Sequence, residues 1–427
     1  MALRSGMLAQ GAWVFAGQVL SALAILASLK LWAVYLSPSE VGTMGLVIGL
    51  ASILSGIASG PLTQSILVSY AGYAREGQGS TFRAVGWKLM ARVTSIVVTT
   101  VLIIGVPLAL MLQLPVFVPV LVAGLFAADA WRGFEISLLA AARRQKLVGI
   151  IQCADAWLRF AFLWLALLMI PATAYTAIGG NLAGAAVLVL IVRLTVKLEA
   201  QSDTNATTTA SEAASISNRL VSLSKPLFPA ALLANVTEML NRYLIAATIG
   251  LAPAGLFVIS YGLVKRPYGL LNAVTDWTMR PMMAKAIAEN NSAEVRQARR
   301  IWLAAGGGFA LLGVALFFLL REPIVHVILS PEYASTAHLL PWLALAIALF
   351  NIANIFGGFS LTMGDTRAVL INNAVGAVTG AVLTVVLSLQ FGLLGAAWGL
   401  LGGYVCQLAT SIATAQLRTR RQSRAER

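Results

Sequence analysis

Long apolar stretches recur along nearly the whole chain, separated by short charged or proline-containing breaks. A helix needs roughly 20 apolar residues to cross the hydrocarbon core of a bilayer. Of the residues, 59% are hydrophobic and only 11% are charged. Backbone groups cannot stay unpaired in lipid, and the stretches lack the alternation of a barrel, so each one predicts a transmembrane helix. The twelve predicted helices cover residues 11–36, 41–70, 84–112, 115–142, 147–170, 173–196, 227–250, 253–283, 300–320, 337–363, 367–390 and 393–417.

Lysine and arginine concentrate in alternate breaks between the predicted helices. The breaks at 143–146 and 193–225 are basic, whereas 37–40 and 112–115 contain no Lys or Arg. Because short basic loops stay in the cytoplasm, both termini are predicted to be cytoplasmic. The net charge of +14 is therefore spread over loops on one membrane face and gives no indication of nucleic acid binding.

The chain offers little material for metal or redox chemistry. Cys153 and Cys406 fall inside predicted helices, where we expect small apolar fillers. His326 and His338 flank a predicted outer loop and are too few for a metal site. We therefore expect no metal and no cofactor. The first apolar stretch is too long for a signal-peptide core, so we expect it to remain as the first helix.

The two halves of the chain share a pattern. The segment 36–42 (Leu-Ser-Pro-Ser-Glu-Val-Gly) enters the second predicted helix, and 251–255 (Leu-Ala-Pro-Ala-Gly) enters the eighth. An even number of helices per half predicts a parallel repeat about an axis along the membrane normal. The predicted organisation is an N-terminal six-helix lobe at 1–200, a polar cytoplasmic linker at 201–225, a C-terminal six-helix lobe at 226–417 and a basic cytoplasmic tail at 418–427.

The segment from Tyr35 to Gly42, with the long helix after it, resembles the opening of the polysaccharide transport family. This family belongs to the superfamily of multidrug, oligosaccharidyl-lipid and polysaccharide exporters. The second half is similar to the family's second lobe at Asn241-Arg242, Arg280-Pro281, Gly364-Asp-Thr-Arg367 and Phe391-Gly-Leu-Leu-Gly-Ala-Ala-Trp398. The resemblance implies an all-α polytopic membrane protein with two six-helix lobes and a MATE-like parallel pseudo-repeat.

The function that the resemblance implies is that of a flippase. It would move polyprenyl-diphosphate-linked oligosaccharide from the cytoplasmic to the outer leaflet of the bacterial inner membrane, by alternating access, for O-antigen, capsule or exopolysaccharide synthesis. Expected partners are this substrate, membrane lipids, and the polysaccharide polymerase and chain-length machinery. Such a substrate carries a diphosphate, so its carrier needs cations inside the membrane.

Charged residues at membrane depth are costly and usually face a cavity. Six of the cations that fall within predicted helices form the predicted substrate-binding set: Lys30, Arg242, Lys265, Arg266, Arg132 and Arg159. The adjacent Lys265 and Arg266, followed by Pro267, give the sharpest signal, because two neighbouring cations cannot both avoid an interior or aqueous face. For Lys30, snorkelling toward the membrane surface is the alternative.

Structural pairing is an equal alternative for the three arginines of the set. Each has an acid at a spacing that permits pairing along one helix. These acids are Glu238 for Arg242, Asp155 for Arg159, and Asp129 or Glu135 for Arg132.

Aromatic side chains are the candidate glycan contacts, because sugar rings stack on them. The candidates are Trp131, Trp157, Tyr261, Tyr268 and Trp277. Interface belts and packing account for most tryptophans of membrane proteins, which is the alternative here.

Two other classes of function would require different residues. A cation-coupled drug or metabolite antiporter of the same superfamily would need carboxylates, for which Asp276, Glu238 and Asp155 are the candidates for ion coupling. A membrane glycan polymerase or glycosyltransferase would need a catalytic constellation in an outer loop. The longest such loop, 321–336, offers only Glu322 and Glu332, so we expect no enzyme.

Overall fold

The computed structural model of the chain describes residues 2–200, 210–289, 292–362 and 365–425, and within these ranges it contains helices and short connections but no strand. The helices are α1 Ala2–Tyr35, α2 Pro38–Leu54, α3 Gly60–Arg75, α4 Gly79–Met111, α5 Val118–Ala141, α6 Gln145–Met169, α7 Ala174–Ala200, α8 Ala210–Ser224, α9 Phe228–Ile249, α10 Leu251–Ala288, α11 Ser292–Leu319, α12 Arg321–Ile328, α13 Leu340–Thr362 and α14 Thr366–Ala425. A π-helical turn, Ser55–Ser59, joins α2 to α3, and a 3₁₀ segment, Pro331–His338, precedes α13.

Nine ranges of the described residues are long and apolar enough to cross a membrane. One of them, Arg367–Gln416, contains two of the predicted helices, because Gly392 has a φ of 62° that divides α14. Helices α5 and α10 are not among the nine, since their charged residues lower the hydropathy, but with 24 and 38 residues both are long enough to span. The predicted all-α polytopic membrane fold is confirmed.

The chain divides into two compact units, and each mixes parts from different regions of the sequence. Unit 1 contains Met1–Ser28 and Met44–Met239, and unit 2 contains Leu29–Thr43 and Leu240–Arg427. The boundaries thus fall inside α1, α2 and α9. The two six-helix lobes were predicted from a repeated sequence pattern, whereas these units are defined by compactness. The lobes therefore stay a prediction.

Helix α8 contributes to the core of unit 1. It begins inside the range predicted as a polar linker, yet Ile216 and Leu220 are buried against Phe82, Phe126 and Phe134. The two aliphatic side chains are four residues apart and so lie on one face of the helix. Burying an aliphatic side chain of this size contributes about 1.5–3 kcal/mol. The described part of this range is therefore a packed helix.

Two glycines allow the repeated segments to touch inside unit 2. A Cβ at Gly42 would meet the carbonyl oxygen of Leu251, and a Cβ at Gly255 would meet the carbonyl oxygen of Pro38. Only glycine permits so close an approach of two backbones. The contact is reciprocal, as expected for segments related by a pseudo-two-fold axis.

Candidate functional site

Four charged side chains form a network between α5 and α6 of unit 1. Asp129 and Arg132 lie on α5, and Asp155 and Arg159 lie on α6. The Nη2 atom of Arg159 is 2.7 Å from Asp129 Oδ1, and its Nε is 2.9 Å from Asp155 Oδ1. The Nη1 and Nη2 atoms of Arg132 are 3.2 Å from Asp155 Oδ2 and 3.4 Å from Asp129 Oδ1. Each arginine thus contacts both aspartates, and we call these four residues the charge cluster.

The charge cluster is largely shielded from solvent. The exposed fraction of the side chain is 9% for Asp155, 18% for Arg159 and 32% for Arg132. Helix α7 contributes to the shielding, because Gly184 lets its backbone pack directly on the backbone of Arg159. Two positive and two negative charges compensate each other here, so the cluster presents no net charge. Among the described residues, the Nε atom of Arg132 is buried and finds no hydrogen-bond acceptor.

The two pairs expected along single helices form, since Asp129 contacts Arg132 and Asp155 contacts Arg159. The pairs between α5 and α6 were not foreseen. Glu135 was considered a partner of Arg132, but the structure pairs it with Arg83 of α4, whose Nη2 lies 2.9 Å from Glu135 Oε2. Spacing along one helix indicates which acids can reach an arginine, but tertiary packing decides which of them does.

Lys30 lies at the end of α1 that belongs to unit 2. Its side chain is exposed, and its Nζ donates a hydrogen bond to the carbonyl oxygen of Val327, at 3.0 Å. Two further bonds fasten the same region: the hydroxyl of Ser330 donates to the carbonyl oxygen of Ala33, and that of Tyr333 to the carbonyl oxygen of Leu36. Lys30 is therefore one of several links between the end of α1 and residues 327–333.

Burial, with a smaller contribution from nearby Glu332, raises the pKa of Tyr333 above its usual range. The phenol therefore keeps the proton that it donates to the carbonyl oxygen of Leu36, at 2.9 Å, to a higher pH than a solvated tyrosine would.

The other predicted cations of unit 2 lie on α9 and α10. Lys265 is half-buried, and its Nζ lies 5.5 Å from the ring centroid of Tyr261. That ring stacks on Phe257 with centroids 5.6 Å apart. Arg266 is exposed, and Arg242 of α9 is half-buried. A lysine held over an aromatic ring keeps its charge while gaining an attraction of about 0.5–1 kcal/mol.

The remaining aromatic and acidic candidates lie in different surroundings. Tyr268 is buried and donates to the carbonyl oxygen of Ala310, at 3.0 Å. Trp157 is exposed and makes a T-shaped ring contact with Phe160. Glu238 is exposed on α9. The side chains of Asp276 and Trp277 lie outside the described residues.

Sequence reasoning missed the surroundings of Arg193. The sequence places this residue in the basic break that begins at 193. The guanidinium carbon of Arg193 lies 5.6 Å from the ring centroid of Trp87 and 5.8 Å from that of Trp131. The three residues belong to α7, α4 and α5, and no sequence spacing predicts that these helices meet. Within the described part of the chain, no group of three or more His, Cys, Asp or Glu side chains is placed to hold a metal ion.

Comparison with known proteins supports one fold. The MatE family model matches residues 274–386. A search of curated proteins finds no match. An inward-facing multidrug resistance MATE family transporter of the MOP superfamily is 13% identical with a TM-score of 0.72, covering 93% of this chain and 94% of that one. The lipid II flippase MurJ, in an inward closed conformation, is 10% identical with a TM-score of 0.70, at 96% and 87% coverage.

A mutant of the Vibrio cholerae MATE transporter VcmN is 14% identical with a TM-score of 0.62, and 98% of each chain is covered. The chain therefore has the fold of the MATE transporters, which MurJ shares, and the predicted MATE-like architecture is confirmed.

Proposed function

We propose that this protein is a flippase that moves polyprenyl-diphosphate-linked oligosaccharide from the cytoplasmic to the outer leaflet of the inner membrane, with both termini in the cytoplasm. The observation that carries the proposal is the state of the buried acids. Glu135 and Asp155 are the buried carboxylates among the described residues, and arginines bind both of them. A transporter of organic cations needs carboxylates whose charge is available to the substrate.

Compensated acids make a poor binding site for a cation, because the arginine beside each carboxylate repels a second positive charge. A diphosphate has the opposite requirement. We assign its binding to Lys265 and Arg266 of α10 as the main site, with Arg242 and Lys30 as further contacts. A lysine serves as a point charge for phosphate, and an arginine can bind two phosphate oxygens at once.

The remaining candidates fit a supporting role in this proposal. Arg132 and Arg159 compensate Asp129 and Asp155, so we assign them to the structure of unit 1 rather than to the substrate. Tyr261, which lies beneath Lys265, is the best placed of the proposed glycan contacts. The polyprenyl tail would stay in lipid while alternating access carries the polar part across. A polysaccharide polymerase and chain-length machinery would receive the product.

A cation-coupled drug antiporter is the second candidate, and the likeness to a multidrug resistance MATE transporter, with a TM-score of 0.72, favours it. In that case Asp155, Glu238 and Asp276 are the candidates for ion coupling.

Transport by purified protein in liposomes separates the two functions. One set of vesicles contains a fluorescent polyprenyl-diphosphate oligosaccharide, and the other is loaded with a fluorescent organic cation under a proton or sodium gradient. We expect the lipid-linked substrate to move, and we expect the double variant Lys265→Gln with Arg266→Gln to lose that movement. The matched control is Arg296→Gln with Arg300→Gln, which removes two exposed cations of α11.

Transport of the cation without transport of the lipid-linked substrate would support the antiporter. Full flipping by the Lys265 and Arg266 double variant would show that the diphosphate binds elsewhere.

A further inference from the structure

Helices α4, α5 and α7 of unit 1 enclose an apolar groove that contains none of the residues assigned above to the diphosphate. Its volume is about 400 Å³, within the range of roughly 300–1,000 Å³ typical of ligand pockets. The lining is aliphatic or small over most of its length, with Met90, Gly124, Leu182, Ala186 and Val189 among its residues. Such a groove suits a hydrocarbon chain.

Among the described residues, a single cation lines the groove. Arg193 of α7 lies between Trp87 and Trp131, with its guanidinium carbon 5.6 and 5.8 Å from the two ring centroids. The rings hold the guanidinium in place without cancelling its charge. Glu135 of α5 lies near enough to attract Arg193, but its carboxylate is bound by Arg83, at 2.9 Å. The groove therefore combines an apolar slot with a held positive charge.

Helix length places this arginine at the depth of lipid headgroups. Residues Ala174–Arg193 form a span of 20 residues, about 30 Å long, which equals the thickness of the hydrocarbon core. Helix α4 has 33 residues and is therefore about 50 Å long, and Arg92 is its last charged residue. The beginning of α4, with Trp87, thus extends beyond the hydrocarbon. Tryptophans at this level are typical of the membrane interface.

We propose that this groove binds an anionic phospholipid, with one acyl chain along α4, α5 and α7 and the phosphate on Arg193. The charge of Arg193 selects an anionic headgroup over a zwitterionic one. The interfacial depth selects a resident phospholipid over a substrate that crosses the membrane. Basic pockets between transmembrane helices are known to bind anionic headgroups. The proposal does not depend on the transported substrate, because all its residues lie in unit 1 and none belongs to the proposed diphosphate site.

Native mass spectrometry of the purified full-length protein tests the site with phosphatidylglycerol and phosphatidylcholine of identical acyl chains. We expect the wild type to retain phosphatidylglycerol preferentially. The variant Arg193→Gln should weaken that preference about five-fold while leaving phosphatidylcholine binding unchanged. The control is Arg92→Gln, which removes an exposed cation of α4 that does not line the groove. This variant should keep the preference for phosphatidylglycerol.

A second measurement examines the acyl chain. Ala186→Phe fills the groove and should reduce retention of both phospholipids, provided that size-exclusion chromatography shows folded protein. Phosphatidylglycerol with brominated acyl chains should also quench the fluorescence of the wild type, and Trp87→Phe with Trp131→Phe should remove part of that quenching.

Equal retention of the two phospholipids by the wild type would overturn the proposal, as would an unchanged preference in Arg193→Gln. Tighter binding of a polyprenyl diphosphate that Arg193→Gln abolishes would also overturn it, because it would assign the groove to the substrate.

Discussion

The charged contacts that the structure describes in the two units differ in part in their partners. In unit 1, arginines of α4, α5 and α6 contact carboxylates, as in the charge cluster and in the pair of Arg83 with Glu135. In unit 2, the described cation contacts include neutral partners: Lys30 binds a carbonyl oxygen, Lys265 lies over the ring of Tyr261, and Arg299 lies over the rings of Phe356 and Phe359. A carboxylate cancels the charge of its partner, whereas a carbonyl or a ring only holds it.

This difference separates a structural use of charge from a use that leaves charge for a ligand. Buried ion pairs contribute little net stability, but breaking one leaves an uncompensated charge. Unit 1 should therefore be sensitive to the loss of a single acid. In unit 2, the ring of Tyr261 contacts Lys265 without cancelling its charge, which suits the proposed binding of a diphosphate there.

The largest effect should follow the loss of Asp155, which would leave two arginines with one shared acid. We expect Asp155→Ala to lower the free energy of unfolding by about 3–5 kcal/mol, measured by thermal unfolding in detergent. The control in unit 2 is Glu322→Ala, whose exposed side chain lies 3.7 Å from Arg321 and should contribute about 0–1 kcal/mol. Similar losses in the two variants would remove the distinction between the units.

The charge cluster also shows how far sequence reasoning reaches at a site. The pairs of Asp129 with Arg132 and of Asp155 with Arg159 follow from spacings of three and four residues along one helix. The contacts that join α5 to α6, and the pairing of Arg83 with Glu135, depend on how helices pack. Local sequence spacing predicts neither how deeply a residue is buried nor which residue of another helix it contacts.

The next largest effect is expected in α8, the helix of unit 1 that lies within the predicted linker. Ile216→Ala should destabilise the protein by about 2–5 kcal/mol, because the side chain is buried among the phenylalanines of α4 and α5 and its removal leaves a cavity. Thermal unfolding in detergent measures the loss. The comparison variant is Leu227→Ala, whose side chain is 39% exposed and should cost much less. An unaffected Ile216→Ala variant would mean that α8 is not part of the core.

The fold was predictable because transmembrane helices need only length and hydropathy, and those signals lie within single stretches. The helix inside the predicted linker was harder to predict, because polar residues such as Thr207, Thr208 and Thr209 dominate the first part of the range. The burial of Ile216 and Leu220 depends on a surface provided by α4 and α5. An amphipathic pair of this kind indicates a packed helix only once a partner surface is known.

Unit 2 should respond instead to changes at its closest backbone contact. Gly255→Ala would place a Cβ against the carbonyl oxygen of Pro38, and we expect a loss of about 1–3 kcal/mol in unfolding free energy. Gly308→Ala on α11 is the control, since a Cβ there meets open space and should stabilise the helix by about 0.5–1 kcal/mol. Opposite signs for the two glycines would confirm the contact of the repeated segments, and equal signs would contradict it.

The smallest expected effect tests the neutral bonds that fasten the end of α1 in unit 2. Tyr333→Phe removes the donor to the carbonyl oxygen of Leu36 and should cost about 0.5–1.5 kcal/mol at neutral pH. Tyr35→Phe is the control, because Tyr35 is exposed.

The pH dependence gives this test a sign that simple packing would not give. Burial raises the pKa of Tyr333, so folding keeps the phenol protonated, and its contribution is complete below the ordinary pKa of 10.0. Above pH 10 the unfolded chain loses this proton while the folded chain retains it, which favours unfolding of the wild type but not of Tyr333→Phe. The stability advantage of the wild type should therefore shrink as the pH rises above 10. An advantage that stays constant there would mean that the phenol is solvated in the folded protein, and that Tyr333 does not help to hold α1 in unit 2.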